Sequence, residues 1–194
     1  MKITEPQWKK IKQFARKKYE ENNDSFHGYD HAQAVSGLAE YIAKKEKADV
    51  DVCRAAGLLH DIAPKTRGKA HGKQSGDIIN KYLTSINLKK DFTDNVVMAV
   101  IYHDTINQHL IETLEGEVVF EADKLECFGP VGIIREFGDL IIKGYSYDKS
   151  LNQLFDYLVN YNPDFKTKTA KKIKSELKAF NNNFIHHYYK YRKL

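Results

Sequence analysis

From Trp8 to Phe184 the apolar residues of this chain recur every third or fourth position and almost nowhere in alternation, a period that fits the α-helix and not the strand. An all-α fold is the reading that follows. Trp8, Ile11, Ala15 and Tyr19 mark a first helix. His31, Val35, Leu38, Ala39 and Ile42 mark a second, entered through the loop Asn22-Asn23-Asp24-Ser25. A third helix is predicted from Val50 to Ile62, capped by Asp49 and stopped by Pro64. Ser75, Ile78, Ile79, Tyr82, Leu83 and Ile86 give a fourth, and Val96, Val97, Val100 and Ile101 a fifth that ends at His103-Asp104. Val118, Val119, Ala122 and Leu125 give a sixth; after Gly129-Pro130 the pattern resumes at Val131, again at Leu151, and last in a basic tail helix. The stretches Pro64 to Gly72 and Tyr102 to Gly116 read as flexible loops on this scaffold.

With 194 residues the chain is long enough to bury a proper core as one domain, and nothing in it forces two. Its amino terminus has no apolar signal-type run, and no apolar stretch approaches the roughly 20 residues of a membrane span. A soluble cytoplasmic protein is expected. Cys53 and Cys127, the only two cysteines, are too few for a secreted disulfide framework and are expected as buried free thiols on apolar helix faces. Lys166, Lys168, Lys171, Lys172, Lys174, Lys178, Lys190, Arg192 and Lys193 face a single acid, Glu176, in the last segment. Such a patch can meet nucleic acid, a membrane surface or an anionic substrate. The inward stripe Ala170, Ile173, Leu177, Phe180 and Phe184 makes a solvated helix face the simpler reading.

One dipeptide stands out against this background. His60-Asp61 closes the apolar run Ala55-Ala56-Gly57-Leu58-Leu59, placing an imidazole beside a carboxylate at an otherwise buried helix, where each costs free energy unless paired. Two further sites accompany it: His31 in Tyr29-Asp30-His31-Ala32-Gln33-Ala34-Val35, and Asp123 in Glu121-Ala122-Asp123-Lys124-Leu125. Helical neighbours point about 100° apart, so His60 and Asp61 do not share one face, whereas a cation set between them engages both.

The order His31, then His60-Asp61, then Asp123 resembles the HD-domain metal-dependent phosphohydrolases, and the resemblance spans roughly Phe26 to Phe137. The approach Ala55 to Ile62 is similar to that family's apolar lead into its doublet. Glu121-Ala122-Asp123-Lys124-Leu125, followed by Gly129-Pro130-Val131-Gly132-Ile133-Ile134-Arg135, resembles a branch of small bacterial proteins thought to hydrolyse nucleotides. That branch often has His-x-x-Arg-Val where this chain has Ala34, a departure that bears on substrate contacts and not on the metal. The resemblance implies one all-helical HD-type domain over residues 1–194, with its core at about 26–137 and a helical extension at about 150–194.

It also implies a ligand set of His31, His60, Asp61 and Asp123 around one divalent ion. Two imidazoles and two carboxylates without thiolate suit Mn²⁺, Co²⁺, Ni²⁺, Fe²⁺ or Mg²⁺ and leave about two octahedral positions for water and a phosphate oxygen. Asp61, Lys65, His71 and Arg135 are the expected catalytic and phosphate-contacting residues, with Arg67 and Lys124 as further cations nearby. His27, His71 and His103 are candidates for supporting the ligands or holding a second metal. Glu121, Glu126 and Asp104 are read either as water-orienting acids or as solvent-exposed ones.

Several signatures are absent. The chain has no Gly-x-x-x-x-Gly-Lys loop, no Gly-x-Gly-x-x-Gly turn and no serine nucleophile elbow, and after the doublet it lacks the Glu-Asp pair of guanosine-tetraphosphate hydrolases. The expectation is a phosphohydrolase acting by metal-activated water on a phosphate ester or anhydride of a small molecule, a nucleotide first among them. The alternative is a non-catalytic ligand-binding or regulatory module on the same scaffold; a third reading gives the basic tail a nucleic-acid contact.

Overall fold

The computed structural model describes residues 2–64 and 71–192. Among them the chain forms nine α-helices and one short 3₁₀ helix, with no strand, so the all-α expectation holds. The helices are α1 (Glu5–Asn22), α2 (Tyr29–Glu46), α3 (Val50–Leu59), α4 (His71–Ser85), α5 (Lys90–Ile101), α6 (Leu114–Leu125), α7 (Gly129–Ile142), α8 (Tyr147–Asn160) and α9 (Lys168–Arg192). Local chemistry sets their starts. Thr4 and Gln7 form a reciprocal capping box on α1, Asp49 accepts from the amides of Asp51 and Val52 at the head of α3, and Ser146 caps α8.

The chain divides into two compact units, Met1–Asp123 and Lys124–Leu194. In the first, α2 pairs with α3 and α4 with α5, while α3 and α5 pack on each other and α1 lies against α2 and α3. Their shared core gathers Ile11, Ala15 and Tyr19 of α1, Ala55, Leu58 and Leu59 of α3, Ile79 and Leu83 of α4, and Phe92, Val96 and Val100 of α5. Asp123, near the end of α6, is the last residue of this unit; the head of the same helix is tied to that of α3, where Asp49 N–H donates to Glu115 at 2.9 Å. In the second unit α7, α8 and α9 pack on one another around Ile133, Leu140, Leu154, Phe155 and Leu158.

Several local expectations need correction. The third helix ends at Leu59 and not at Ile62, so the doublet follows the helix instead of lying in its last turn. The amides of Asp61 and Ala63 bond to the side chains of Tyr19 and Ser75, which draws the chain out of the helical path before Pro64. His71, read as a loop residue, opens α4 and is partly buried. The stretch after Tyr102 contains the 3₁₀ helix Thr105–Leu110.

Both cysteines are free: Cys53 is buried in α3, and burial pushes its thiol pKa up, whereas Cys127 lies, partly buried, in the turn between α6 and α7 and not on a helix face. No helix among the described residues is long and apolar enough to cross a membrane.

Candidate metal centre

The end of α3 carries the densest polar chemistry of the first unit. His60 is fully buried, and its Nδ1 lies 2.8 Å from the carbonyl of Gly57, one turn back. A carbonyl only accepts, so Nδ1 bears the proton and Nε2 presents a lone pair. Burial holds the His60 pKa down at about 3, so the ring is neutral near pH 7. That Nε2 is buried without a hydrogen-bond partner, and two carboxylate oxygens, themselves acceptors, stand near it: Asp61 Oδ2 at 3.6 Å and Asp123 Oδ1 at 3.7 Å. An acceptor buried among acceptors is costly, and a cation relieves it.

The other expected ligands arrive from separate helices. His31, in the first turn of α2, places Nε2 at 3.3 Å from Asp123 Oδ1, and its ring lies edge-on to that of His60 with centroids 5.2 Å apart. At metal–ligand bonds of ~2.1 Å, octahedral neighbours sit about 3.0 Å apart and opposite ligands about 4.2 Å. The separations of 3.3, 3.6 and 3.7 Å fall in that range. One trio, His31, His60 and Asp61, and a second, His60, His103 and Asp123, each gather their ligand atoms within 4.8 Å. The cluster is therefore able to hold a metal ion, and its donor set of imidazole nitrogen and carboxylate oxygen suits a borderline or hard divalent cation.

His71 and His103 form the far side. His103 repeats the arrangement of His60: its Nδ1 lies 2.6 Å from the Val100 carbonyl, which leaves Nε2 as the inward atom. His71 Nδ1 faces Asp104 Oδ2 at 3.2 Å, and its Nε2 lies 2.9 Å from Asp61 Oδ1 and 3.1 Å from His103 Nε2. Asp61, His71 and His103 thus make a third trio with metal-ligand spacing. Two glycines permit this packing. A Cβ on Gly57 would stand 3.1 Å from Ser36 Cα of α2, and one on Gly72 would stand 2.5 Å from the carbonyl oxygen of Ile101 at the end of α5.

Asp61 is the hub. Its Oδ1 meets His71 and His103, its Oδ2 meets His60, and its backbone N–H donates to the Tyr19 hydroxyl at 3.2 Å. Burial, and then the Asp61 charge, pushes the Tyr19 phenol well above the usual range, so it stays protonated. A cleft of about 320 Å³, lined by Asn22, Asn23, Asp24, His27, Asp61, Ala63 and Pro64, opens onto this aspartate. His27 Nδ1 pairs with Asp24 at 3.3 Å, and its ring stands edge-on to His31, centroids 5.8 Å apart; it borders the cluster and belongs to none of the three trios.

Lys65 and Arg67 fall outside the described residues. Arg135, on α7 in the second unit, pairs with Glu126 at 3.9 Å. Glu121 is fully buried, which corrects the solvent-exposed reading, and Asp104, partly buried, is engaged with His71. Tyr19 and Asn22 had no place in the sequence reading of the site. The apolar pattern sets Tyr19 on the first helix and Asn22 in the loop after it, so neither carries a signal of its own.

Residues 28–127 match the HD domain family, which places this chain in that family. The uncharacterized protein YpgQ of Bacillus subtilis is 25% identical over 172 residues, covering 84% of this chain and 83% of the relative. Its crystal structure in complex with ADP superposes with a TM-score of 0.71 at 26% identity, over 94% of this chain and 96% of that one. A predicted HD superfamily hydrolase from an uncultured Thermotogales bacterium gives a TM-score of 0.71 at 23% identity, over 93% and 90% of the two chains, a likeness of fold.

Proposed function

We propose that this protein is a metal-dependent phosphohydrolase that cleaves a phosphate ester or anhydride of a nucleotide. The reading rests on one observation above all: the neutral, buried His60 Nε2 facing two carboxylates, with His31 brought in from a separate helix. Family membership supports the hydrolase class, and the ADP complex of the Bacillus subtilis relative supports a nucleotide.

In this proposal His31, His60, Asp61 and Asp123 hold the divalent ion, one of Mn, Co, Ni, Fe or Mg. Once bound, such an ion acidifies water and offsets charge on phosphoryl oxygens. Asp61 orients the attacking water. His71, steadied by Asp104, lies against Asp61 Oδ1 and acts toward the phosphate, and His103 holds the same oxygen. Lys65 is assigned to a phosphate contact. The cleft beside Asp61 offers amide, carboxylate and imidazole groups to a polar substrate.

The test is to incubate the purified protein with Mn²⁺ and a nucleotide panel, with and without chelator, and to assay phosphate and pyrophosphate. Release of either that depends on the metal is the expected result. Nucleotide binding without any product would favour the non-catalytic module, for which Ala34, in place of the branch's arginine, is the sequence motive.

A further inference from the structure

The aspartate of the doublet is held from a helix that lies outside the matched HD segment. Residues 28–127 carry the family match, whereas α1 ends at Asn22. From α1 the Tyr19 hydroxyl accepts Asp61 N–H at 3.2 Å, and one turn on, Asn22 Nδ2 donates to Ile62 O at 3.0 Å. The two bonds bracket the Asp61–Ile62 segment at its amino and its carbonyl end. Both span about forty residues of sequence, so neither is a local helix-end bond. Tyr19 is 3% exposed and packs in the core of the first unit, which fixes the position of its oxygen.

A metal ligand works only if its carboxylate leaves the backbone in the right direction, and direction is set by the peptide units on either side of it. We propose that Tyr19 and Asn22 are positioning residues of the metal centre: α1 clamps the backbone of Asp61 so that both carboxylate oxygens face the histidines. The proposal rests on the metal-centre reading above. Tyr19→Phe keeps the ring and its packing and removes only the oxygen. Tyr82 supplies an internal control, because its hydroxyl also anchors α1, donating to the Lys10 carbonyl at 2.9 Å, with no bond to Asp61.

Titration of the folded protein with Mn²⁺ alone, followed by calorimetry, tests the clamp without reference to any substrate. Tyr19→Phe is expected to weaken Mn²⁺ binding about 10- to 100-fold, the usual cost of losing an outer partner of a metal ligand. Asn22→Ala is expected to weaken it about three- to tenfold, and Tyr82→Phe to leave it at the wild-type value. Wild-type affinity in Tyr19→Phe would overturn the proposal, as would an equal loss in Tyr82→Phe, since α1 would then matter only as packing. Should Tyr19→Phe fail to fold, Asn22→Ala decides: weakened binding supports the clamp and unchanged binding overturns it. Wild-type protein that binds Mn²⁺ but hydrolyses no nucleotide would end the hydrolase reading while the clamp still stood or fell on these affinities.

Discussion

Two helices of the first unit, α3 and α5, pack on each other and are both followed by the dipeptide His-Asp. At both ends the histidine is buried and its Nδ1 faces the carbonyl three residues back, Gly57 in one case and Val100 in the other. The aspartates then part company. Asp61 is turned inward, 7% exposed, with its carboxylate between three histidines. Asp104 opens the 3₁₀ helix Thr105–Leu110, accepting Asn107 N–H on its carbonyl, and its carboxylate takes up His71 from outside. The dipeptide therefore does not define a ligand pair. What the backbone does next decides whether the acid turns in among the histidines or steadies one of them from outside.

The sharpest way to break this comparison is to remove each acid in turn. Asp61→Ala should reduce phosphate release to background and abolish Mn²⁺ retention while far-UV circular dichroism still reports the helices. Asp104→Ala should cost about 10- to 100-fold in metal affinity or turnover, as expected for an outer partner of a histidine. Equal losses in the two variants would erase the distinction between the doublets.

The pH dependence of metal-free stability isolates the histidine of the first doublet. Burial lowers the His60 pKa from 6.5 to about 3, so the unfolded chain takes up a proton that the folded one refuses. Stability from this group is complete above about pH 6.5 and declines as the pH falls toward 3, by about 1.4 kcal/mol per unit. Urea midpoints measured between pH 6.5 and 4 should be less steeply pH-dependent in His60→Gln than in the wild type. Parallel slopes would show that His60 titrates in the folded protein.

A gentler measurement sharpens the same contrast. Mn²⁺ at a hundred times its dissociation constant should stabilise the wild type by about 2.7 kcal/mol, read as a rise in melting temperature. At that concentration Asp104→Ala should keep a reduced rise and Asp61→Ala should show none.

Much of this was legible beforehand because it rested on periodicity and on residue types in a fixed order. The helices announced themselves through apolar spacing, and His31, His60, Asp61 and Asp123 through their chemistry and apolar settings. What escaped was set by contacts distant in sequence. Tyr19 and Asn22 look like the ordinary end of an amphipathic helix, and nothing local says that their polar atoms reach the chain beyond α3. The early end of α3 has the same cause, since side chains from α1 and α4 took the amides that would have extended it. His71 was misread because the charged stretch before it suggests a loop, while its partner Asp104 lies 33 residues on, across two helices.

Gly57 carries a consequence for reading mutations. Its carbonyl meets His60 Nδ1, and by composition it is one more small residue in an apolar run. Yet α2 bears His31, α3 leads to His60, and a single methyl group at residue 57 would press on the α2 backbone between them. Gly57→Ala would ask α2 to give way by a few tenths of an ångström, a strain felt in folding and in the spacing of the imidazoles alike. The fall in metal affinity set against the fall in melting temperature of that variant would measure how closely the seam between two helices sets that spacing.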